Sequence, residues 1–225
     1  NFANDVFDFI KGSDREDRLG PVRATQAGLI SPSQMMRAIC FIFAFAIIVG
    51  FYLAWIGGWP IVYIGLTSII SAIAYTGGPY PLGYHGWGDV FVFIFFGLIA
   101  IPGTYYLQTG EVSHESILFG VVLGTLSTAI LIVNNLRDAD TDIKSGKRTL
   151  AVRLGKNTVK LEYILMMSIP FIIPLYIINH WDEISLYLIF FLLPLSIRLI
   201  IKLYTQTGKA LNDVHQINTK LCKYD

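Results

Sequence analysis

Long hydrophobic runs alternate with short polar connections along almost the whole chain. Each run is close to the ~20 residues that an α-helix needs to cross ~30 Å of hydrocarbon. A buried helix of a soluble protein could explain one such run, but not six in succession. The pattern therefore predicts an all-α, polytopic transmembrane bundle. Its six spans are expected at about 38–57, 60–76, 89–107, 116–136, 163–179 and 184–201.

The composition agrees with this pattern. Of 225 residues, 54% are hydrophobic and 15% are charged, whereas soluble domains carry roughly a quarter charged residues. Gly120 and Gly124 stand at the GxxxG spacing that lets two membrane helices pack closely. Two cysteines, Cys40 and Cys222, provide no disulfide framework. We interpret residues 1–225 as one membrane-embedded domain.

Basic residues are unevenly distributed between the two sides of the predicted bundle. The connections near Gly58, 109–115 and 179–183 contain no Lys or Arg. The other side carries all the strongly basic connections, and it comprises segments 1–37, 77–88, 137–162 and 202–225. Because cytoplasmic connections are enriched in Lys and Arg, we predict that this basic side faces the cytoplasm.

Two acidic clusters, each led by asparagine, lie on the basic side. Their members stand at four-residue steps, which places them on one face of a helix. They are Asn4 and Asp8 in the first cluster, and Asn134, Asp138 and Asp142 in the second. Stacked carboxylates repel each other unless a cation lies between them. For either cluster alone a solvated helix face is the alternative, but two such clusters beside a membrane indicate a site for a lipid diphosphate.

The residue types in these clusters predict how a diphosphate would be bound. Carboxylate oxygens suit Mg²⁺, which typically takes one or two carboxylates together with substrate phosphates. The candidate metal ligands are Asp5, Asp8, Asp138 and Asp142. Lysine and arginine bind phosphate oxygens directly, arginine in a bidentate manner. The candidate phosphate-binding bases are Lys11, Arg137, Lys147 and Arg148.

Other parts of the basic side leave alternatives open. The connection 76–89 is dense in Gly and Pro, and it could cover the site, shape a pocket for an acceptor, or be a plain turn. Aromatic residues in the third span, such as Phe91 and Phe95, could stabilise an allylic cation through their π faces or simply pack. The sequence does not identify a base that deprotonates an acceptor, although Asp14 and Asp140 are possible.

Several stretches of the chain resemble the UbiA-type membrane aromatic prenyltransferases. The most specific is 134–155, which begins with the second acidic cluster. The stretch 4–14, which contains the first cluster, and the connection 75–89 also resemble their counterparts in that family. The stretch 18–28, with its Gly-Pro-Val-Arg sequence, favours the bacterial branch that acts on 1,4-dihydroxy-2-naphthoate.

The resemblance implies nine transmembrane helices around a central cavity, with both clusters at its cytoplasmic mouth. It implies Mg²⁺, an all-trans polyprenyl diphosphate donor, and 1,4-dihydroxy-2-naphthoate as the acceptor. The acceptor would lose CO₂ on prenylation and give demethylmenaquinone. Because only six spans are predicted in residues 1–225, we expect the first helix, most of the second and the last to lie outside this chain.

The site residues follow from the clusters and the resemblance together. The expected catalytic set is Asp8, Asp138, Lys147 and Arg148. The expected substrate-binding set is Asn4, Lys11, Arg23, Tyr75, Asn134 and Arg137. The expected location is a bacterial inner membrane, with the lipid bilayer as a partner and no nucleic acid. The alternatives are another aromatic acceptor, such as 4-hydroxybenzoate or a chlorophyll precursor, and a membrane transporter.

Overall fold

The computed structural model describes residues 2–12, 19–181 and 184–221 of the chain, and most of these residues are helical. The α-helices are α1 (Phe2–Ile10), α2 (Pro32–Gly57), α3 (Trp59–Thr76), α4 (Gly88–Val92), α5 (Ala100–Thr109), α6 (His114–Lys144), α7 (Leu150–Arg153), α8 (Lys156–Trp181), α9 (Leu193–Thr205) and α10 (Leu211–Leu221). A π-helical stretch, Phe93–Ile99, joins α4 to α5. The described ranges contain no strand, so the predicted all-α class is confirmed.

Six helical stretches of the described chain are long and apolar enough to cross a bilayer. They are Pro32–Gly57, Trp59–Thr76, Gly88–Thr109, His114–Lys144, Lys156–Ile178 and Leu186–Thr205. The shortest has 18 residues, which at 1.5 Å per residue gives about 27 Å, close to the hydrocarbon thickness. The prediction of six spans is confirmed.

The fourth and fifth spans extend beyond their apolar runs at the basic end. The apolar run of α6 was expected to end at residue 136, but the helix continues to Lys144 and carries Asp138 and Asp142 with it. Likewise α8 begins at Lys156 rather than at 163, so Glu162 lies on a spanning helix. Polar residues thus project from rigid helices rather than from loops.

Local sequence signals explain where α2 begins and ends. The Ser31 hydroxyl accepts a hydrogen bond from the Gln34 backbone N–H, and the Gln34 side chain accepts one from the Ser31 N–H, which forms a capping box. Pro32 occupies the first helical position, where its missing N–H costs nothing. At the other end Gly58 has φ of 68°, a conformation that glycine adopts easily. This single residue reverses the chain from α2 into α3.

Helix α6 forms the centre of the bundle. Half of its spanning window is buried, compared with 6% for α2. Its buried residues, including Ile132 and Val133, pack with Tyr163 of α8 and Leu199 of α9. Because lipid is as apolar as these side chains, close van der Waals packing rather than hydrophobic transfer stabilises this contact.

Glycines bring α6 into backbone contact with the third span. A Cβ atom at Gly97 would lie 2.5 Å from the Gly120 carbonyl oxygen, and one at Gly124 would lie 2.9 Å from the Phe93 carbonyl oxygen. No larger residue fits at either place without moving a backbone. The close helix packing predicted from the GxxxG spacing is confirmed, and its partner is the π-helical stretch.

Helix α1 lies across the beginning of α2 at the basic end. Its apolar residues Ala3 and Val6 pack against Met35 and Ile39 of α2 in a small separate core. This contact fixes α1, and with it the first acidic cluster, at the end of the bundle that also carries the last turns of α6.

Candidate active site

The two acidic clusters meet at the basic end of the bundle. We call Asn4, Asp5 and Asp8 of α1 the first motif, and Asn134, Asp138 and Asp142 of α6 the second motif. Lys147, which follows α6, places its Nζ 3.2 Å from Oδ2 of Asp8. The charges of Lys147, Asp138 and Asp8 all act on the Asp142 carboxylate. Residues far apart in sequence therefore form one charged site.

Asp8 is the most heavily partnered carboxylate of the site. It is only 2% exposed, and its Oδ2 accepts a hydrogen bond of 2.8 Å from the Arg23 guanidinium. Its Oδ1 accepts a short hydrogen bond from the Tyr84 hydroxyl, and Lys147 supplies a second positive charge. Since a buried carboxylate needs both charge pairing and hydrogen bonds, these three partners offset the cost of burying Asp8.

The rest of the first motif serves the local structure. The Asn4 side-chain oxygen accepts a hydrogen bond of 3.0 Å from the Thr76 hydroxyl, and the Asn4 carbonyl accepts one of 2.6 Å from Arg23. The Asp5 carboxylate accepts hydrogen bonds from the backbone N–H groups of Ala24 and Thr25, at 3.2 and 3.3 Å. These contacts hold the turn that presents Arg23 to Asp8.

Asp5 was expected among the metal ligands, and the structure does not bring it to them. Asn4 and Asp8 lie four residues apart and share a helix face, whereas Asp5 is turned by about 100° from Asn4. Its two oxygens face backbone amides. Of the two α1 carboxylates that were predicted as metal ligands, Asp8 is the one linked through Lys147 to the segment after α6.

In the second motif Asp138 is paired with its neighbour. Arg137 donates to both carboxylate oxygens of Asp138, from Nε at 2.8 Å and from NH2 at 2.6 Å. The same guanidinium donates from NH1 to the Asn212 side-chain oxygen at 2.8 Å, and Arg137 is only 4% exposed. Arg137 was predicted to bind phosphate, but its guanidinium already donates hydrogen bonds to Asp138 and Asn212.

Helix α10 contributes residues that the sequence did not indicate. Asn212 links the site together, because it accepts from Arg137 and donates from Nδ2 to the Leu19 carbonyl at 3.1 Å. His215, one turn later, faces the same pair. Burial and the Arg137 charge lower the pKa of His215, and the Asp138 charge opposes them. No spacing signal connects these residues to the second motif, since Asn212 and Arg137 are 75 positions apart.

Two groups of the second motif have no partner among the described residues. The Asn134 side-chain oxygen is buried without a hydrogen bond. The Asp142 carboxylate forms neither a hydrogen bond nor an ion pair in the described chain, although Lys147 is near enough for its charge to act on it. Of the two, Asp142 is the group that the structure links to the other charged residues of the site.

Two lysines and a tyrosine lie next to Asp8 in the site. The ammonium groups of Lys11 and Lys147 lie 5.0 and 4.7 Å from the centre of the Tyr84 ring, within the range of cation–π attraction. Partial desolvation lowers the pKa of Lys11; the Asp8 charge opposes this shift and the Lys147 charge adds to it. Tyr84 was missed in the sequence, although the Gly- and Pro-rich connection that contains it was singled out.

That connection is part of the site and not a plain turn. Lys11 donates to the Thr76 carbonyl at 2.7 Å, and the Arg148 backbone N–H donates to the Tyr84 carbonyl at 2.7 Å. The connection thus joins the first motif to the segment after the second. Its glycines make room for Tyr75, because a Cβ atom at Gly83 or Gly88 would come within 2.9 Å of the Tyr75 side chain.

An open cavity of about 490 Å³ lies beside the second motif. Three basic residues line it: Lys147, Arg148 and Arg153. Arg153 donates to the His85 carbonyl at 2.7 Å. The Arg148 guanidinium, in contrast, has no hydrogen bond or ion pair to any described residue. Arg148 is therefore the predicted phosphate-binding base that is most available to a ligand.

The predicted metal ligands do not form a complete metal-binding set. Within the described ranges no three Asp, Glu, His or Cys side chains are close enough to hold a metal ion. Asp8 and Asp138 face basic groups, and Asp142 is unpartnered. The donors are nevertheless hard oxygens, and Mg²⁺ commonly takes only one or two carboxylates beside substrate phosphates. The donor chemistry fits Mg²⁺ bound together with a diphosphate.

The two residues considered as bases lie away from these contacts or beyond the described chain. The Asp140 side chain is 73% exposed and pairs with Lys156 at 2.8 Å, outside the site. Asp14 lies outside the described residues. The aromatic pair Phe91 and Phe95 stacks with ring centres 5.9 Å apart, which is the packing alternative.

Comparison with known proteins gives consistent matches. The model of the UbiA prenyltransferase family matches residues 1–215. A 1,4-dihydroxy-2-naphthoate octaprenyltransferase of Haemophilus influenzae is 40% identical over 175 residues, which cover 75% of this chain and 57% of that protein. A protein of the same name from Escherichia coli is 41% identical over 162 residues, covering 69% of this chain and 53% of the relative.

A third 1,4-dihydroxy-2-naphthoate octaprenyltransferase, from Mycobacterium tuberculosis, is 40% identical over 163 residues, covering 72% of this chain and 56% of the relative. The chain thus spans about half the length of the curated relatives that it matches.

Proposed function

The chain belongs to the UbiA prenyltransferase family, and on that premise we propose that it transfers a polyprenyl group to an aromatic acceptor. The donor is an all-trans polyprenyl diphosphate. The acceptor is 1,4-dihydroxy-2-naphthoate, the substrate that the names of its relatives carry. Prenylation releases diphosphate and CO₂ and gives the quinol form of demethylmenaquinone, which a separate two-electron oxidation converts to demethylmenaquinone.

One observation supports this proposal above the others: Lys147 bridges from the second motif to Asp8 of the first, at 3.2 Å, at one end of a bundle of membrane helices. A lipid diphosphate has an apolar tail and a strongly anionic head. The spanning helices suit the tail, and the charged end suits the head. A soluble nucleotide would need no such apolar wall.

The basic residues of the site bind the diphosphate and stabilise its negative charge. Arg148 is free to form a bidentate contact with phosphate oxygens. Lys147 and Lys11 lie on one tyrosine ring and supply two further positive charges. As the allylic C–O bond breaks, negative charge grows on the departing diphosphate, and these cations stabilise it there. The ring carbon of the acceptor then forms the new C–C bond.

Asp142, Asp138 and Asp8 would hold Mg²⁺ when the donor binds. Bound Mg²⁺ would neutralise charge on the diphosphate oxygens. Asp8 is paired with Lys147 and Asp138 with Arg137 in the absence of a donor. Asp142 has no hydrogen bond or ion pair among the described residues, so it would be available to the ion without losing a protein contact.

The basic end of the bundle faces the cytoplasm of a bacterial inner membrane in this proposal. Segments with Lys and Arg lie at that end, and the connections at the other end have none. A water-soluble aromatic acid made in the cytoplasm can reach the charged end directly, while the donor arrives through the lipid.

A transfer assay with competing acceptors tests the function. Membranes containing the protein are incubated with a labelled polyprenyl diphosphate and equal amounts of 1,4-dihydroxy-2-naphthoate, 4-hydroxybenzoate and a chlorophyllide. We expect prenylated naphthoquinol as the main product, release of CO₂ from carboxyl-labelled naphthoate, and loss of both signals in EDTA. If the main product forms from another of these compounds, that compound replaces 1,4-dihydroxy-2-naphthoate as the acceptor. Movement of the labelled lipid across proteoliposomes without a product would indicate a transporter.

A further inference from the structure

A second polar cluster lies between the spanning helices, beside the diphosphate site. We call it the inner polar cluster. Its members come from four different spans: Tyr75 near the end of α3, Asp89 at the start of α4, Asn135 of α6 and Glu162 of α8. Polar residues within membrane-spanning helices are costly unless they serve a ligand or each other. The contacts within this cluster leave one buried oxygen, Oδ1 of Asp89, without a partner among the described residues.

Asp89 is the centre of the cluster, and one of its two carboxylate oxygens has no hydrogen-bond donor among the described residues. It is only 3% exposed. Its Oδ2 has one long contact, 3.5 Å from the Asn135 side-chain nitrogen. Its Oδ1 is buried and has no hydrogen-bond partner in the described chain, and no Lys or Arg there pairs with it. Because native proteins pair nearly all buried polar atoms, this oxygen calls for a donor from outside the chain.

The charges around Asp89 decide what kind of donor fits. The charge of Glu162 acts on Asp89, so two acidic side chains share this space. An anion such as a diphosphate or a carboxylate would be repelled. One or two carboxylates hold Mg²⁺ together with phosphate oxygens, and in the proposed function the phosphates bind at the cationic residues Lys11, Lys147 and Arg148 and not beside Asp89. A neutral hydroxyl group that donates a hydrogen bond remains as the fitting partner.

Tyr75 places this cluster next to the diphosphate site. A Cβ atom at Gly88, the residue before Asp89, would lie 2.9 Å from the Tyr75 hydroxyl, and Tyr75 is near enough to Asp8 for the charge of that carboxylate to act on it. A flat ligand beside Tyr75 would have a cationic region on one side, formed by Lys11 and Lys147. On the other side it would meet the acidic inner cluster.

We propose that the inner polar cluster is the binding site for the hydroxyl end of the aromatic acceptor, with the Asp89 carboxylate accepting the ring hydroxyl's hydrogen bond. Asn135 orients that carboxylate. This inference rests on the proposed function for the identity of the ligand. It adds which residues recognise the acceptor and which end of the acceptor they hold.

The chemistry of the acceptor determines its direction. In 1,4-dihydroxy-2-naphthoate the 1-hydroxyl lies beside the carboxylate and forms an internal hydrogen bond with it. The 4-hydroxyl is free, and it is the group that Asp89 receives. The acceptor's carboxylate then points toward the lysines of the cationic region.

A binding experiment tests the proposal without turnover. The probes are 4-hydroxy-2-naphthoate and 4-methoxy-2-naphthoate, whose fluorescence reports the Kd of each for the purified full chain. A hydrogen bond to a charged group contributes about 1.5–3 kcal/mol, so the wild type should prefer the hydroxy probe by about tenfold or more. Asp89→Asn should reduce this preference to near equality. Asp140→Asn, the same change at an exposed position, should retain it.

A donor probe separates this inference from the proposed function. Binding of an unreactive prenyl thiodiphosphate in Mg²⁺ should differ by no more than about twofold between wild type and Asp89→Asn, since the sites are distinct. Asp8→Ala should weaken this binding and keep the preference for the hydroxy probe. If the wild type transfers no prenyl group but Asp89→Asn still removes the hydroxyl preference, the proposed function fails and the binding site stands.

Other results would overturn the inference. These are equal affinity of the wild type for the two probes, a preference that survives in Asp89→Asn, or weaker thiodiphosphate binding as the main effect of that variant. Asn135→Ala gives a second route if Asp89→Asn does not fold. It should lower the preference about threefold by releasing the carboxylate from its one donor, and an unchanged preference would contradict the proposal.

Discussion

The first and second motifs have the same spacing of Asn and Asp, but their surroundings differ. In the first motif every side chain is engaged: Asn4 with Thr76, Asp5 with two backbone amides, and Asp8 with three partners. In the second motif only Asp138 is paired, with the residue next to it. The Asn134 oxygen and the Asp142 carboxylate have no described hydrogen-bond partner.

This difference separates two tasks that the shared sequence pattern conceals. The first motif holds the Arg23 turn and the Tyr84 connection in place around one buried carboxylate. The second motif stands on the central helix, and in it the Asp142 carboxylate and the Asn134 oxygen have no hydrogen-bond partner among the described residues. We infer that the first motif builds the site, and that the second makes the more direct contacts with the ligand.

Replacing Asp8 with Ala should have the largest effect. It leaves Arg23, Lys147 and the Tyr84 hydroxyl without their common partner, and breaking a buried ion pair costs about 3–5 kcal/mol. We expect both stability and activity to fall: the melting temperature in detergent should be lower, and the transfer rate should be at least about a hundredfold lower. Normal stability together with normal transfer would show that Asp8 does not organise the site.

Replacing Asp142 with Ala should lower activity and leave stability almost unchanged. No described group loses a hydrogen bond or an ion pair, and the repulsion from Asp138 and Asp8 is relieved. The transfer rate should fall by about tenfold or more, and higher Mg²⁺ concentration should partly restore it. The measurement is the rate as a function of Mg²⁺, beside a thermal melt. A melting temperature as low as that of Asp8→Ala would remove the distinction between the motifs.

The sequence was sufficient for features that depend on local pattern. The six spans follow from apolar length, and the position of both motifs at one end follows from counting spans and charges. The sequence did not indicate where each side chain of a motif turns. Helical spacing relates Asp5 to Asp8, but only the packed structure shows that backbone amides of residues 24 and 25 receive Asp5.

The residues that were missed are held by contacts across long sequence separations. Tyr84 reaches Asp8 across 76 positions, and Asn212 reaches Arg137 across 75. Tyrosine in a Gly-rich connection and asparagine on an amphipathic helix are common, so neither residue type draws attention by itself. Asp89 was visible as the end of that connection, but the lack of a partner for its Oδ1 depends on how α4 packs against α6.

Replacing Tyr84 with Phe should have an intermediate effect. The ring stays beneath both ammonium groups, while Asp8 loses one donor. Loss of a hydrogen bond to a charged group corresponds to about 1.5–3 kcal/mol, so we expect the transfer rate to fall by about tenfold. Tyr80→Phe is the matched control, because Tyr80 lies in the same connection and stacks on His85. If both variants lose the same transfer activity, the effect would come from the connection as a whole and not from the hydrogen bond between Tyr84 and Asp8.

Asp140→Asn should have the smallest effect, and Asp138→Asn, two residues earlier, is its counterpart. The Asp140 side chain is 73% exposed, and its pair with Lys156 lies in solvent, where an ion pair is worth about 0–1 kcal/mol. Transfer rate and melting temperature should therefore stay near the wild-type values. Asp138→Asn removes the charge that compensates Arg137, which is only 4% exposed, and it should lower both. Equal loss of activity in the two variants would show that orientation toward the site does not determine the role of an acidic residue here. That result would contradict the different tasks assigned to the two motifs.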